Sequence, residues 1–164
     1  MAKQASAGTP ATVALTKAAI VHEVHTYAHD PASTAYGDEA ATALGVDPAR
    51  MFKTLVVATG IGRPGLAVAV VPVAGSLDLK AMASALGVKK VELALPALAE
   101  RSSGYVVGGI SPLGQKTRLP TVLDDSARSF PTIYVSAGRR GLQVELSPDD
   151  LVSLTAASVA RIRR

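Results

Sequence analysis

Cysteine is absent from the 164 residues. That excludes disulfides, thiolate metal sites and a cysteine nucleophile supplied by the chain, and it fits a reducing cytoplasm. Tryptophan is also absent, and aromatic residues make up 4% of a chain that is 48% hydrophobic. A core built from this composition packs Ala, Val and Leu rather than rings, and few aromatics are left for stacking single-stranded nucleic acid. Long apolar runs are missing. The most apolar stretch, Leu66 to Ala74, is interrupted by Pro72 and falls far short of the roughly 20 residues that cross a bilayer. Met1 to Pro10 has no apolar signal core. A cytoplasmic protein with no membrane contact is expected.

The net charge of +4 is unevenly spread. Over residues 1–50, Lys3, Lys17 and Arg50 face Glu23, Asp30, Asp38, Glu39 and Asp47, a net −2, which leaves +6 on the remainder. Basic residues gather at Lys89-Lys90, at Lys116 with Arg118, at Arg139-Arg140, and at Arg161, Arg163 and Arg164. A polyanion such as tRNA suits that half. So does a solvated surface ending in a basic tail, and charge alone leaves both readings open.

The length suits one domain with its own core, and neither a repeat nor a low-complexity linker divides it. We expect a flexible lead over residues 1–8, a domain over 9–158 and a basic tail over 159–164. Thr9-Pro10 is a capping hydroxyl followed by proline at the first helical position, so a helix runs into Ala19. Val21 to Tyr27 alternates like a strand, with Val21, Glu23, His25 and Tyr27 on one face. A helix from about Asp38 to Leu44 ends at Gly45. Phe52 to Thr59 and Leu66 to Val73 form a hairpin, apolar at nearly every position and therefore covered on both faces. Asp78 caps a helix closed by Gly87, Lys89 to Leu93 is a short strand, and Pro96 opens a further helix. Strands follow at Thr121 to Leu123, Thr132 to Ser136 and Leu142 to Leu146, and Ser147-Pro148 starts the closing helix. Strands that come singly and in hairpins, with helices between, predict an α+β fold with a mixed, mostly antiparallel sheet rather than a doubly wound one.

Several chemistries are excluded by pattern. His22 and His25 point to opposite faces of a strand and no carboxylate cluster completes a ligand set, so His22, His25 and His29 read as surface or structural residues. No nucleophile elbow surrounds a serine, and Ser111 precedes proline with no evident base. Gly60-Ile61-Gly62 lies in a hairpin and opens no helix, so it does not bind a dinucleotide. Two features stand out. Lys53 interrupts the apolar run Met51 to Val57, where its amine needs a partner, an edge or a cleft. It is either an edge lysine that discourages aggregation or a fixed cation for a phosphate or carbonyl. Gly108-Gly109-Ile110-Ser111-Pro112 is either a tight turn or a backbone that approaches a ligand closely with its N–H groups.

These segments together resemble the YbaK/EbsC family of aminoacyl-tRNA deacylases, relatives of the editing domain inserted in many prolyl-tRNA synthetases. The resemblance is carried by His25-Thr26-Tyr27 with His29-Asp30-Pro31, Phe52-Lys53-Thr54-Leu55, Ala67 to Val73, Leu77-Asp78-Leu79-Lys80, Gly104 to Gly114, Tyr134-Val135-Ser136 and Arg140-Gly141. It runs in order from about residue 9 to residue 155, and within the family it is nearest the free-standing branch that acts on Cys-tRNA(Pro). It implies one compact α+β domain with a central cleft, no cofactor and no metal. The functional lysine falls on Lys53 and the catalytic backbone contact on Gly108. Tyr27, Gly109, Ile110, Ser111, Ser136 and Gln143 are implied as substrate-binding residues. The implied partners are misacylated tRNA, taken at its 3′ aminoacyl-adenosine end, and prolyl-tRNA synthetase. At Gln143 the family often carries aspartate; an amide is no carboxylate base, so only a hydrogen-bonding role transfers.

The resemblance also supplies a mechanism for a chain that lacks a nucleophile. The cysteine thiol of the substrate attacks its own ester carbonyl and leaves as a thiolactone, while the protein holds the reactants and stabilises charge. A deacylase for Ala- or Ser-tRNA, and a non-catalytic tRNA- or synthetase-binding module, are the alternatives.

Overall fold

Thr9, Asp78 and Ser147 each cap a helix with a side-chain oxygen, accepting from the backbone N–H of Thr12, Ala81 and Asp150, as their places before helical runs predict. The computed structural model describes residues 8–164; of the flexible lead expected over 1–8, all but residue 8 lies outside the described residues. The elements are α1 (Pro10–Lys17), β1 (Glu23–Thr26), α2 (Tyr36–Leu44), β2 (Phe52–Ala58), β3 (Leu66–Pro72) and α3 (Leu79–Leu86). Then come β4 (Glu92–Leu93), α4 (Pro96–Ser103), β5 (Thr121–Asp124), a 3-10 turn (Asp125–Ser129), β6 (Ile133–Arg139), β7 (Leu142–Leu146), α5 (Pro148–Thr155) and β8 (Ser158–Ala160).

The strands form two sheets, β4-β2-β3-β5-β8 and β1-β7-β6. Only β3 with β5 and β5 with β8 run parallel; the other pairings are antiparallel, so the fold is α+β and mixed as expected. The main core lies between the sheets, where Phe52, Val56, Val68 and Val70 meet Ile133, Val135 and Val144. A second cluster places Val57, Ala69 and Val71 against Met82 of α3 and Ile162. Strand β3 is buried at every position because both of its faces are covered. No helix among the described residues is long and apolar enough to cross a membrane.

Two details of the sheet set up the site. A parallel bridge between Met51 and Tyr134 joins the start of β2 to β6. At the far end of β2, β4 pairs only with Val57 and Ala58, and Ala94 N–H bonds the Val56 carbonyl at 2.9 Å. Between those ties the outer edge of β2 carries no strand, and the two sheets part.

The C-terminal segment differs from the expected tail. Residues 158–160 add strand β8 to β5, and Ile162 is fully buried. The anchor is Asp124, fully buried, whose carboxylate accepts the N–H groups of Ile162 (2.9 Å) and Arg163 (3.0 Å) and the Arg163 guanidinium (2.9 Å). Arginines interleaved with Val159 and Ile162 mask this apolar pattern in the sequence. Burial pushes the Asp124 carboxyl up, but hydrogen bonds from Ser126, Ile162 and Arg163 outweigh it and hold its pKa below the ordinary value. A carboxyl lowered on folding contributes stability that is present above its unfolded pKa, about 3.9, and is lost as the pH falls through the folded value. Urea titrations should therefore show wild-type stability dropping below about pH 4 while Asp124→Asn is flatter there. Asp124→Ala should cost about 3 kcal/mol at pH 7 by stranding the buried donors.

Candidate active site

The parting of the sheets opens a cleft of about 520 Å³, within the size range of small-molecule sites. Its floor is β2 from Phe52 to Val56, where the outer edge of the strand is largely open. Ser136 and Gln143 line it from the β6–β7 side, Leu93, Ala94 and Pro96 from the β4–α4 side, and the start of α2 with Val107, Gly108 and Ile110 completes the lining.

Lys53 lies on that open edge, half-buried, and its Nζ donates to the Gly75 carbonyl at 3.0 Å. It is the single cation among the described residues that line the cleft. The edge reading and the cleft reading of this lysine therefore have one cause: the outer edge of β2 is open there, and the space beside it is the cleft. Ser136 and Gln143 are direct cross-strand partners, so they share a face. Ser136 Oγ accepts the Gly138 N–H at 3.2 Å. Gln143 is 7% exposed, and its Oε1 has no partner among the described residues.

Tyr27 does not line the cleft. It packs behind the wall against Ala40, Ala41, Met51 and Tyr134. Burial raises the pKa of its phenol, against hydrogen bonds from the Gly141 backbone and from the Gln143 side chain. Gly109 and Ser111 are not in the lining either. A Cβ on Gly109 would lie 2.6 Å from Arg139 Cα, so this glycine lets the loop press against the β6–β7 turn. Ser111 is fully buried; its Oγ accepts the Leu113 N–H at 3.2 Å and its carbonyl accepts Gln115 Nε2 at 2.9 Å. Both residues hold the loop together through these contacts. Tyr105 closes the same loop by donating its hydroxyl to the Leu113 carbonyl at 2.6 Å, and burial pushes its pKa up to about 12.

Gly108 does face the cleft, with φ +90. A Cβ there would lie 2.7 Å from the Tyr36 ring and 2.8 Å from Arg140 Nε. The sequence does not single out Tyr36, and Arg140 stands there only in a basic pair and in the family resemblance. Arg140 stacks on Tyr36 at 4.8 Å and donates Nε and Nη2 to the Val107 carbonyl at 2.9 and 2.6 Å. These contacts span 33 residues, so no local pattern marks them.

The histidines are engaged elsewhere. His22 Nδ1 meets the Ile20 carbonyl and His29 Nδ1 meets Glu39, both at 2.7 Å. His25 differs from the sequence reading, because pairing of β1 with β7 brings Glu145 beside it. The ligand atoms of Glu23, His25 and Glu145 lie within 4.8 Å of one another. The second oxygen of Glu145 is already taken by Thr132 at 2.5 Å and by Arg50 at 3.2 Å.

The aminoacyl-tRNA editing domain family matches residues 29–154. A protein of Enterococcus faecalis (strain ATCC 700802 / V583) assigned as the Cys-tRNA(Pro)/Cys-tRNA(Cys) deacylase EbsC is 44% identical over 125 residues, which cover 76% of this chain and 75% of that one. Among solved structures, one described as a trans-editing enzyme for prolyl tRNA synthetase is 27% identical with TM-score 0.79, covering 94% of this chain and 95% of the other. A hypothetical protein, APE2540, is 28% identical with TM-score 0.80, covering 92% and 96%. The chain belongs to the aminoacyl-tRNA editing domain family.

Proposed function

We propose that the chain is a trans-editing deacylase that clears cysteine from misacylated tRNA(Pro) in the cytoplasm, acting on the aminoacyl-adenosine end. The observation that carries this reading is the make-up of the cleft. It holds a cation, Lys53, a free backbone at Gly108 and one carboxylate, Asp38 at the start of α2, and no histidine or cysteine is among its described lining residues. Ser136, the hydroxyl nearest Gln143 in the sheet, accepts a backbone N–H and has no base beside it. Such a cleft can hold an ester and stabilise an oxyanion, but it cannot readily supply a nucleophile.

Cysteine brings its own. The thiol sulfur bonds the ester carbonyl carbon, the carbon–oxygen bond to the ribose breaks, and the thiol proton passes to the departing ribose oxygen. Lys53 anchors the substrate, and Gly108 meets the oxygen on which charge develops. The pocket wall of Leu93, Ala94 and Pro96 takes the aminoacyl side chain. Prolyl-tRNA synthetase is the partner that would supply tRNA specificity.

The test is a panel of Cys-, Ala-, Ser- and Pro-tRNA(Pro), with and without that synthetase. Cysteine should be released at least tenfold faster than the others, about 1.4 kcal/mol of discrimination. Faster release of alanine or serine would reassign the substrate. Protection of every ester would make the chain a binding module.

A further inference from the structure

Arg140 is exposed and lies in the basic half of the chain, where an arginine commonly meets solvent or a phosphate. Here two of its donors converge on one neutral carbonyl, that of Val107. The N–H of the same residue is also held: Glu100 Oε2, on α4, accepts it at 2.8 Å. One residue further on, Gly109 N–H bonds the Val106 carbonyl at 2.8 Å. Of three consecutive N–H groups in this cleft-side segment, those of 107 and 109 are therefore used within the protein, and that of Gly108 has no partner among the described residues.

The peptide between Val107 and Gly108 is planar and trans, so its C=O and N–H point in opposite directions. Arg140 holds the C=O toward itself, and Arg140 does not line the cleft, whereas Val107 and Gly108 do. With the C=O drawn to Arg140, the N–H of Gly108 points away from the guanidinium, on a residue that lines the cleft. Stacking on Tyr36 keeps the guanidinium plane fixed, and Tyr36 itself lines the cleft.

We propose that Arg140 and Glu100 are positioning residues that lock the 107–108 peptide so that Gly108 N–H serves as the oxyanion donor of the deacylase. This rests on the deacylase reading above. Neither side chain touches the substrate. An oxyanion donor stabilises the transition state far more than the bound ester, so loosening it lowers kcat and leaves binding of the ester nearly intact. A phosphate-binding arginine behaves in the opposite way, weakening binding and flattening its salt dependence.

The experiment is single-turnover deacylation of Cys-tRNA(Pro) over a range of protein concentrations with Arg140→Ala, Arg140→Lys, Glu100→Ala and Glu100→Gln. Arg140→Ala should lower the maximal rate by about 10²-fold, the size expected for loss of one oxyanion donor. Its half-saturating concentration should stay within about threefold, and its melting temperature close to wild type. Arg140→Lys should recover little, because one ammonium cannot make the paired Nε and Nη2 contacts or stack on the ring. Glu100→Ala should also lose rate, and Glu100→Gln, which keeps an acceptor oxygen, should regain most of that loss. An Arg140→Ala variant with an unchanged maximal rate, or with its whole defect in half-saturation, overturns the proposal. If the wild-type chain cleaves no ester, the activity assignment fails by itself and the positioning is judged by NMR. The Gly108 amide resonance should then move in Arg140→Ala while those of α5 stay in place, and an unmoved resonance overturns it.

Discussion

Gly108→Ala is expected to remove nearly all deacylation, with kcat lower by about 10³-fold, the upper end for loss of an oxyanion contact. Two effects act together. At φ +90 an alanine is strained by itself, at a cost of about 1–3 kcal/mol. Its Cβ also needs the space of the Tyr36 ring at 2.7 Å and of Arg140 Nε at 2.8 Å, which are the groups that fix the neighbouring carbonyl. The loop must move, and the Gly108 N–H moves with it. The fold should survive, because the core clusters do not include residue 108. Circular dichroism and thermal melting of the variant, beside single-turnover rates, check this. A stable Gly108→Ala protein with wild-type activity would remove Gly108 from the site.

Lys53→Ala should lower kcat/KM by about 10²-fold or more, again the scale of a lost charge-stabilising group. It deletes the single cation among the described lining residues of the cleft. Its structural cost should be small, roughly 1 kcal/mol, because the amine makes one hydrogen bond to a neutral carbonyl, that of Gly75. Lys53→Arg should not restore activity: the planar guanidinium is bulkier than the ammonium and cannot occupy the same point between β2 and Gly75. A Lys53→Ala protein that retains full deacylation of Cys-tRNA(Pro) would contradict the assignment. An activity loss matched by a large fall in melting temperature would make the lysine structural.

What was legible in the sequence was local chemistry. Thr9, Asp78 and Ser147 announce helix starts because a capping oxygen and its N–H lie within three residues of each other. The β2–β3 hairpin and its doubly covered strand are written in continuous apolar runs. Of the site, Lys53 and Gly108 stood out because each breaks the pattern around it, and the structure sets both on the cleft with Ile110, Ser136 and Gln143. Hidden from the sequence were the relations that depend on distant partners. Ser111 is implied as a substrate-binding residue by the family resemblance, but its oxygen accepts the Leu113 N–H within a buried turn. Tyr27 lies outside the cleft, packed against Ala40, Ala41, Met51 and Tyr134. The link of Arg140 to Val107 and that of Arg163 to Asp124 close over more than 30 residues, and in each the arginine reads as part of a basic cluster.

The most direct measurement is the fate of Cys-tRNA(Pro) with the purified chain alone, set beside the same tRNA carrying S-methylcysteine. Rapid release of cysteine with the S-methyl ester left intact is the predicted result, because methylation removes the nucleophile without emptying the pocket. Equal hydrolysis of both esters, or protection of both, would contradict the account.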